Sequence, residues 1–244
     1  AAFAAHFVGA DCVSPISPWH DLELYPTPST PGLVNFMCEI PRGVTAKLEV
    51  QKKLPNNPIM QDTKKGKLRY YTYGPTFFNY GMLPRTWEDP AKKGFNGTVG
   101  DNDPLDVMEI GSRPFKVGEV RAVKVLGDLE LIDQGELDHK IIVISADDPL
   151  AARLSSAADL KTVMPGVLES LIEWLKMYKT TDGKEVRSSQ PTPLRLLSAA
   201  PLRSILSASR SRLTLPCPVR AGQCALERHP KDGSRGERSH RGVP

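Results

Sequence analysis

LVNFMCEIPRGVTAKLEV, residues 33–50, is the stretch from which the architecture is read. Leu33 to Ile40 is apolar and rich in strand-forming residue types, and Pro41 and Gly43 mark a turn. Thr45 to Val50 then alternates, with Ala46, Leu48 and Val50 on one face and Lys47 and Glu49 on the other. Downstream, residues 51–66 read as a loop or hairpin and 67–73 (KLRYYTY) as another strand. Gly74 to Gly100 is irregular, and long loops in folded domains usually carry function. Asp106 to Ile110, Glu119 to Leu126 and Lys140 to Ser145 read as further strands. Short strands at such intervals suggest a barrel or a sandwich.

The first clear helix comes late. Pro165 stands near its start, Val167, Leu168, Leu171, Ile172, Leu175 and Tyr178 recur at helical spacing, and Asp182-Gly183 ends it. A further helix is read around Ala157 to Val163. Residues 1–32 are rich in Pro and Ser and read as a strapping segment or loose arm.

Length and composition fit one large domain with an appendage: 244 residues, 40% apolar and 25% charged. No apolar run is long enough to span a bilayer. The opening AAFAAHFVGA lacks basic residues and makes a poor signal or transit peptide. The expectation is therefore a cytoplasmic protein, or an organellar one if a targeting segment was removed. Four cysteines at irregular spacings read as free thiols rather than a zinc site or disulfide framework.

The net charge of +4 conceals an asymmetry. Residues 185–244 carry 11 Lys/Arg against 4 Asp/Glu, whereas residues 1–184 carry 21 against 24. All 16 aromatic residues lie at or before Tyr178. The last 60 residues, Arg/Ser/Pro-rich and without sustained periodicity, read as a disordered basic tail. With no aromatic for stacking, the tail is not expected to recognise a specific nucleic acid.

The chemistry concentrates in Gly100-Asp101-Asn102-Asp103-Pro104-Leu105-Asp106. Three carboxylates so close repel one another unless cations sit among them or water separates them, and hard divalent cations prefer such oxygen donors. An EF-hand loop is excluded, because Leu105 and Asp106 stand where a ligand and a glycine belong and Ser112 takes the final glutamate position. On its own the acidic run reads equally well as a solvated turn. Asp133 to Asp138 adds further acids ahead of His139 and Lys140. Asp138 and Lys140 share a strand face, as do Lys47 and Glu49. Either pair alone reads as a surface ion pair; both facing the acidic turn would bind metals with the acids and an anion with the lysines.

Together these segments resemble the soluble family I inorganic pyrophosphatases of eukaryotic type. GDNDPLDV (100–107) matches the family's acidic signature. CEIPRGVTAKLEV (38–50), DTKKGKLRY (62–70), NYGMLPRTWEDP (79–90), LIDQGELDHK (131–140) and WLKMYKTTDGK (174–184) match others in the family's order. The resemblance covers about residues 14–184. It implies an α+β, mainly β fold: an OB-type closed β-barrel with flanking helices, over residues 33–184. It implies Mg²⁺-dependent hydrolysis of pyrophosphate and, because the family often assembles, a homo-oligomer. By motif, Asp101, Asp106 and Asp138 correspond to ligands of the tighter metals, and Asp133 and Glu49 to ligands of metals arriving with substrate. Asp103 corresponds to the general base acting on a metal-bridging water. Lys47, Arg69 and Tyr80 correspond to contacts to one phosphate, Lys140, Tyr178 and Lys179 to contacts to the other, and Glu39 to an acid lining the cavity.

Singly, each has a plainer reading: Tyr178 as a core aromatic, Lys179 as a helix-end cation, Tyr80 as loop packing, Lys47 and Arg69 as solvated strand residues. Two departures stand out. Between Arg69 and Tyr80 the chain is about four residues shorter than the family, and Thr76 or Phe77 falls near the place of an additional active-site tyrosine. After Lys184 the family's amphipathic helix is replaced by the basic tail, which reads as a frameshift, a retained intron or an alternative terminus. Losing such a helix would uncover apolar surface worth several kcal/mol at ~25 cal/mol per Å². The competing functions are a catalytically impaired barrel serving as a scaffold, and a basic tail that binds acidic partners.

Overall fold

A computed structural model of the chain describes residues 3–94, 97–133, 135–182, 195–198 and 225–227. In chain order the first strands are β1 (Ala4–Val8), β2 (Pro15–Ile16), β3 (Leu33–Ile40), β4 (Leu48–Val50), β5 (Ile59–Gln61), β6 (Thr63–Lys64) and β7 (Lys67–Leu68). They are followed by β8 (Asn79–Met82), β9 (Val99–Gly100), β10 (Asp106–Glu109), β11 (Val120–Asp133) and β12 (Glu136–Ser145). The helices α1 (Leu160–Val163) and α2 (Val167–Met177) come next, then β13 (Arg195–Ser198) and β14 (Ala225–Glu227).

β11, β3, β8, β10 and β12 pair in that order, and β12 pairs back onto β11, which closes a five-stranded barrel. All its contacts are antiparallel except β10 with β12. The fold is the mainly β, OB-type closed barrel with flanking helices that the resemblance implies.

Closure explains why β3 reads as a largely apolar stretch without alternation, since its last seven residues are all buried. Alternate side chains enter two cores on opposite faces of the barrel wall. Phe36, Cys38, Val107, Ile141 and Val143 belong to the smaller core, and Met37, Met108, Ile142 and Ile144 to the larger. The larger also contains Leu168, Leu171, Trp174 and Leu175 of α2, so it lies outside the wall and the smaller is enclosed. Gly81 is required where β8 crosses β3, because a Cβ there would stand 1.9 Å from the Met37 carbonyl oxygen.

Several strand boundaries differ from the sequence reading. Glu119–Leu126 and Lys140–Ser145 are parts of one long hairpin whose pairing continues to Asp133 opposite Glu136. The stretch 67–73 is not one strand: β7 pairs only with β6, and Tyr70 makes an isolated bridge to Ala46. Tyr70 and Tyr73 both face solvent. The helices stand where periodicity places them, with α1 entered through a 3₁₀ turn at Ala157–Asp159. Residues of the N-terminal segment are built into the body: β1 pairs with β5, and buried Trp19 donates its Nε1–H to the Thr86 carbonyl at 2.7 Å. From the basic tail, β13 pairs with β11 and β14 with β1. Cys38 is a buried free thiol, whereas Cys217 and Cys224 lie outside the described residues. Among the described residues, no helix is long and apolar enough to cross a membrane.

Candidate active site

The acidic turn is held by backbone before any ligand enters the account. Asn102 adopts a left-handed conformation (φ 68°), and the Asp101 Oδ1 accepts the Asp103 N–H at 2.9 Å. Asn102 donates its N–H to the Glu88 carbonyl at 3.0 Å, and Glu88 donates to the Asp103 carbonyl at 2.8 Å. At Gly100 a Cβ would lie 2.4 Å from the Glu88 carbonyl carbon, so only glycine permits this approach. The Glu88 carboxyl is drawn in beside the turn, where one oxygen of Glu88, Asp101 and Asp138 lies within 4.8 Å of each other. Burial, reinforced by Asp101 and Asp138, pushes Glu88 up to about 11. Burial and the neighbouring aspartates push Asp101 to about 6.

The barrel wall supplies the next layer. Parallel pairing sets Asp106 of β10 beside Lys140 of β12, and Asp138 lies two residues earlier on the same face. The Lys140 ammonium donates to both Asp106 and Asp138 and is 3% exposed. Burial alone would lower its pKa, but the two carboxylates outweigh that and hold it well above the usual lysine value. Tyr80 of β8 presents its ring 5.8 Å from this ammonium. Glu39 is buried where β3 bulges against β8, and its carboxylate accepts the Val50 N–H at 2.7 Å. Burial and the charge of Asp106 raise it well above the carboxylate range.

The opposite side is assembled from shorter strands. Lys47 donates its N–H to the Arg69 carbonyl, Asp62 to the Lys47 carbonyl and Arg69 to the Asp62 carbonyl, a backbone triangle of 3.1, 2.9 and 2.8 Å. It converges Lys47, Glu49, Asp62 and Arg69: the Lys47 ammonium contacts Glu49 and Asp62, and Arg69 pairs with Asp62 at 2.5 Å. Lys52 reaches Asp103 at 2.7 Å. Burial raises the Asp103 carboxyl, and Lys52 partly offsets that.

Helix α2 closes the third side. Its C-terminal neighbour Tyr178 stacks on buried Trp174 at 4.4 Å and meets Tyr71 edge-on at 5.8 Å. The Lys179 ammonium lies 5.4 Å from the Tyr178 ring. Tyr178 is thus both a packing aromatic and a cavity wall.

One cavity of about 450 Å³ is lined by Asp101, Asp103, Asp106, Asp138, Glu49, Lys47, Arg69, Tyr80, Lys140, Tyr178, Lys179 and Glu39. Asp133 ends β11, where its backbone stands opposite Glu136. The sequence reading missed Lys52, Tyr71, Asp62 and Glu88. Thr76 is buried and Phe77 packs edge-on against Phe78, so neither stands in for a cavity tyrosine; Tyr71 lines the cavity instead. The donor set fits hard divalent cations. It offers carboxylate oxygens at high density, and the buried Glu88 Oε2 has no hydrogen-bond partner.

A closed OB-type barrel with carboxylates and cationic side chains gathered around one cavity places the chain in a class defined by fold and site together. The chain belongs to the inorganic pyrophosphatase family, whose model matches residues 36–194. It is 48% identical over 170 residues to soluble inorganic pyrophosphatase 1, chloroplastic, of Chlamydomonas reinhardtii, covering 69% of this chain and 59% of that protein. The type I inorganic pyrophosphatase of Toxoplasma gondii superposes with a TM-score of 0.75 at 40% identity, covering 82% of this chain and 88% of that one. An N-terminally truncated vacuolar soluble pyrophosphatase of Trypanosoma cruzi, solved in complex with PPi, superposes at 0.74 with 40% identity, covering 80% and 76%. The chain spans about three fifths of the length of the Chlamydomonas relative.

Proposed function

We propose that this chain hydrolyses inorganic pyrophosphate to two phosphates with Mg²⁺ as cofactor. The observation that carries the reading is the convergence of Lys47, Arg69, Lys140 and Lys179 with the acidic turn in one cavity. Excess carboxylates alone would repel a polyanion, and lysines alone would not explain so many acids. Alternating the two suits an anion that arrives with dications. Bound Mg²⁺ would neutralise phosphate charge and make water a better nucleophile at neutral pH.

The chain's own groups divide the remaining work. Asp101, Asp106, Asp138 and Glu49 would hold the metal, with Asp133 assigned by motif alone. Asp103 accepts the proton of the attacking water: it is partly exposed, held by Lys52 on one oxygen, and its pKa is raised. Lys47, Arg69 and Tyr80 bind one phosphate, and Lys140, Tyr178 and Lys179 bind the other and stabilise the departing oxygen. Glu39, buried and raised, shapes the floor. No covalent enzyme intermediate is needed. A cytoplasmic or organellar setting and a homo-oligomeric state complete the proposal, the latter tested by sedimentation.

Phosphate release by the purified 244-residue chain, measured with Mg²⁺ and with EDTA, tests the reading. Mg²⁺-dependent release is expected. Absence of release from cooperatively folded, monodisperse protein would overturn it in favour of a scaffold, and salt-sensitive capture of polyanions confined to residues 185–244 would move the function to the tail.

A further inference from the structure

Behind the cavity, on the other face of the same hairpin, sits a second cluster that the reaction does not use. Asp128 and Glu130 are two residues apart on β11, so they share a face, and His139 is the register partner of Glu130 on β12. All three are buried, with exposures of 0%, 8% and 8%. One ligand atom from each lies within 4.8 Å of the others, and His139 Nδ1 is 2.6 Å from Asp128 Oδ2. Two carboxylate oxygens of the cluster, Asp128 Oδ1 and Glu130 Oε2, are buried without a hydrogen-bond partner. The Glu130 side chain makes no ion pair or hydrogen bond among the described residues.

Such a group is incomplete. Two carboxyls and an imidazole are buried together with two oxygens unpartnered, while buried polar atoms are ordinarily hydrogen-bonded, paired or metal-bound. A dication would occupy both orphaned oxygens. We infer that Asp128, Glu130 and His139 form a second metal site, distinct from the pyrophosphate cavity and selective for a first-row transition dication of the zinc class.

The selectivity follows from the donors. One imidazole nitrogen with two carboxylates suits zinc-class ions, whereas magnesium prefers oxygen ligands with several retained waters. Donor atoms already within 4.8 Å need only small side-chain rotations to reach bonds of about 2.0–2.2 Å. The hairpin fixes all three Cα positions, so the site is preformed. It also lies on the opposite face of a strand that serves the cavity: His139 falls between Asp138 and Lys140 on β12, and its N–H donates to Glu88 Oε1 at 3.0 Å. An ion there would brace β11 against β12 directly behind the cavity acids.

The test uses the full chain in saturating Mg²⁺, so that oxygen-only sites are occupied, titrated with Co²⁺ as a visible zinc substitute. One equivalent is expected to produce visible bands of a four- or five-coordinate ion and to broaden the His139 ring resonances. The His139→Gln variant should weaken that binding at least 100-fold, and Asp101→Asn, in the cavity, should leave the bands unchanged. Bands that persist in His139→Gln, bands lost in Asp101→Asn, or no bands at all would each overturn the assignment. If His139→Gln does not fold, the resonances of the unsubstituted chain decide: broadening confined to other histidines, or none, contradicts the site.

Discussion

Two lysine–carboxylate units face each other across the cavity, and they differ in what supports them. Lys140 is clamped by Asp106 and Asp138 on the closed barrel, and its side chain is 3% exposed. Lys47 is held by Glu49 and Asp62 on or beside strands of two or three residues, and its side chain is 22% exposed. In sequence they look alike, a lysine two residues from an acid on an extended chain. Burial separates them. The wall unit is a buried charge assembly whose members depend on one another; the opposite unit is more exposed and more screened by solvent.

The largest expected effect breaks the wall unit. Lys140→Met leaves Asp106 and Asp138 facing each other with no cation between them, and should destabilise the metal-free chain by about 3–5 kcal/mol in urea unfolding. Mg²⁺ should restore part of that loss. Gly100→Ala acts on the acidic turn that the wall supports. Its Cβ collides with the Glu88 backbone, so a cost of about 1–3 kcal/mol and weaker metal binding by calorimetry are expected. Lys47→Met, by contrast, should cost about 1 kcal/mol or less in stability. It should raise KM for pyrophosphate about tenfold, since the partly exposed unit serves binding more than folding.

Glu88 adds a pH slope. Glu88, held at about 11, keeps a proton in the folded chain that an unfolded chain releases near its ordinary 4.5. Between those values the folded state binds more protons, so this contribution to stability falls as pH rises. In EDTA the urea midpoint should therefore drop from pH 5 to pH 8, and Glu88→Gln should flatten the drop. An unchanged slope in that variant would remove Glu88 from the cluster that supports Asp101.

Much of this was legible in the sequence, unevenly and for physical reasons. The alternation of Thr45 to Val50 and the late helix were readable because one face of each is buried. Barrel closure was not, because a strand buried on both faces, such as Leu33–Ile40, shows no period, and ring closure rests on long-range register. The acidic turn announced itself by charge density. Glu88 did not: it stands in NYGMLPRTWEDP without a neighbouring cluster in sequence and reaches the acidic turn through backbone contacts with residues 102 and 103. Asp62 and Lys52 were hidden likewise in loop-like stretches. Asp128 and Glu130 carried a usable signal, two acids at strand spacing within an apolar run, which matters only once His139 is known to stand opposite. Asp133 was assigned by motif, and its place in the reaction remains a proposal.

The most direct test of the account is the rate of Mg²⁺-dependent phosphate release by Asp103→Asn beside the unsubstituted chain, with urea midpoints measured for both. The Asp103 carboxylate is partly exposed and paired only with Lys52 among the described residues, so nearly equal midpoints and a rate lowered by about 10²–10⁴-fold are expected. A variant equally stable and within a few-fold of the parent rate would contradict the assignment of Asp103 as the base, and with it the reading of the acidic turn.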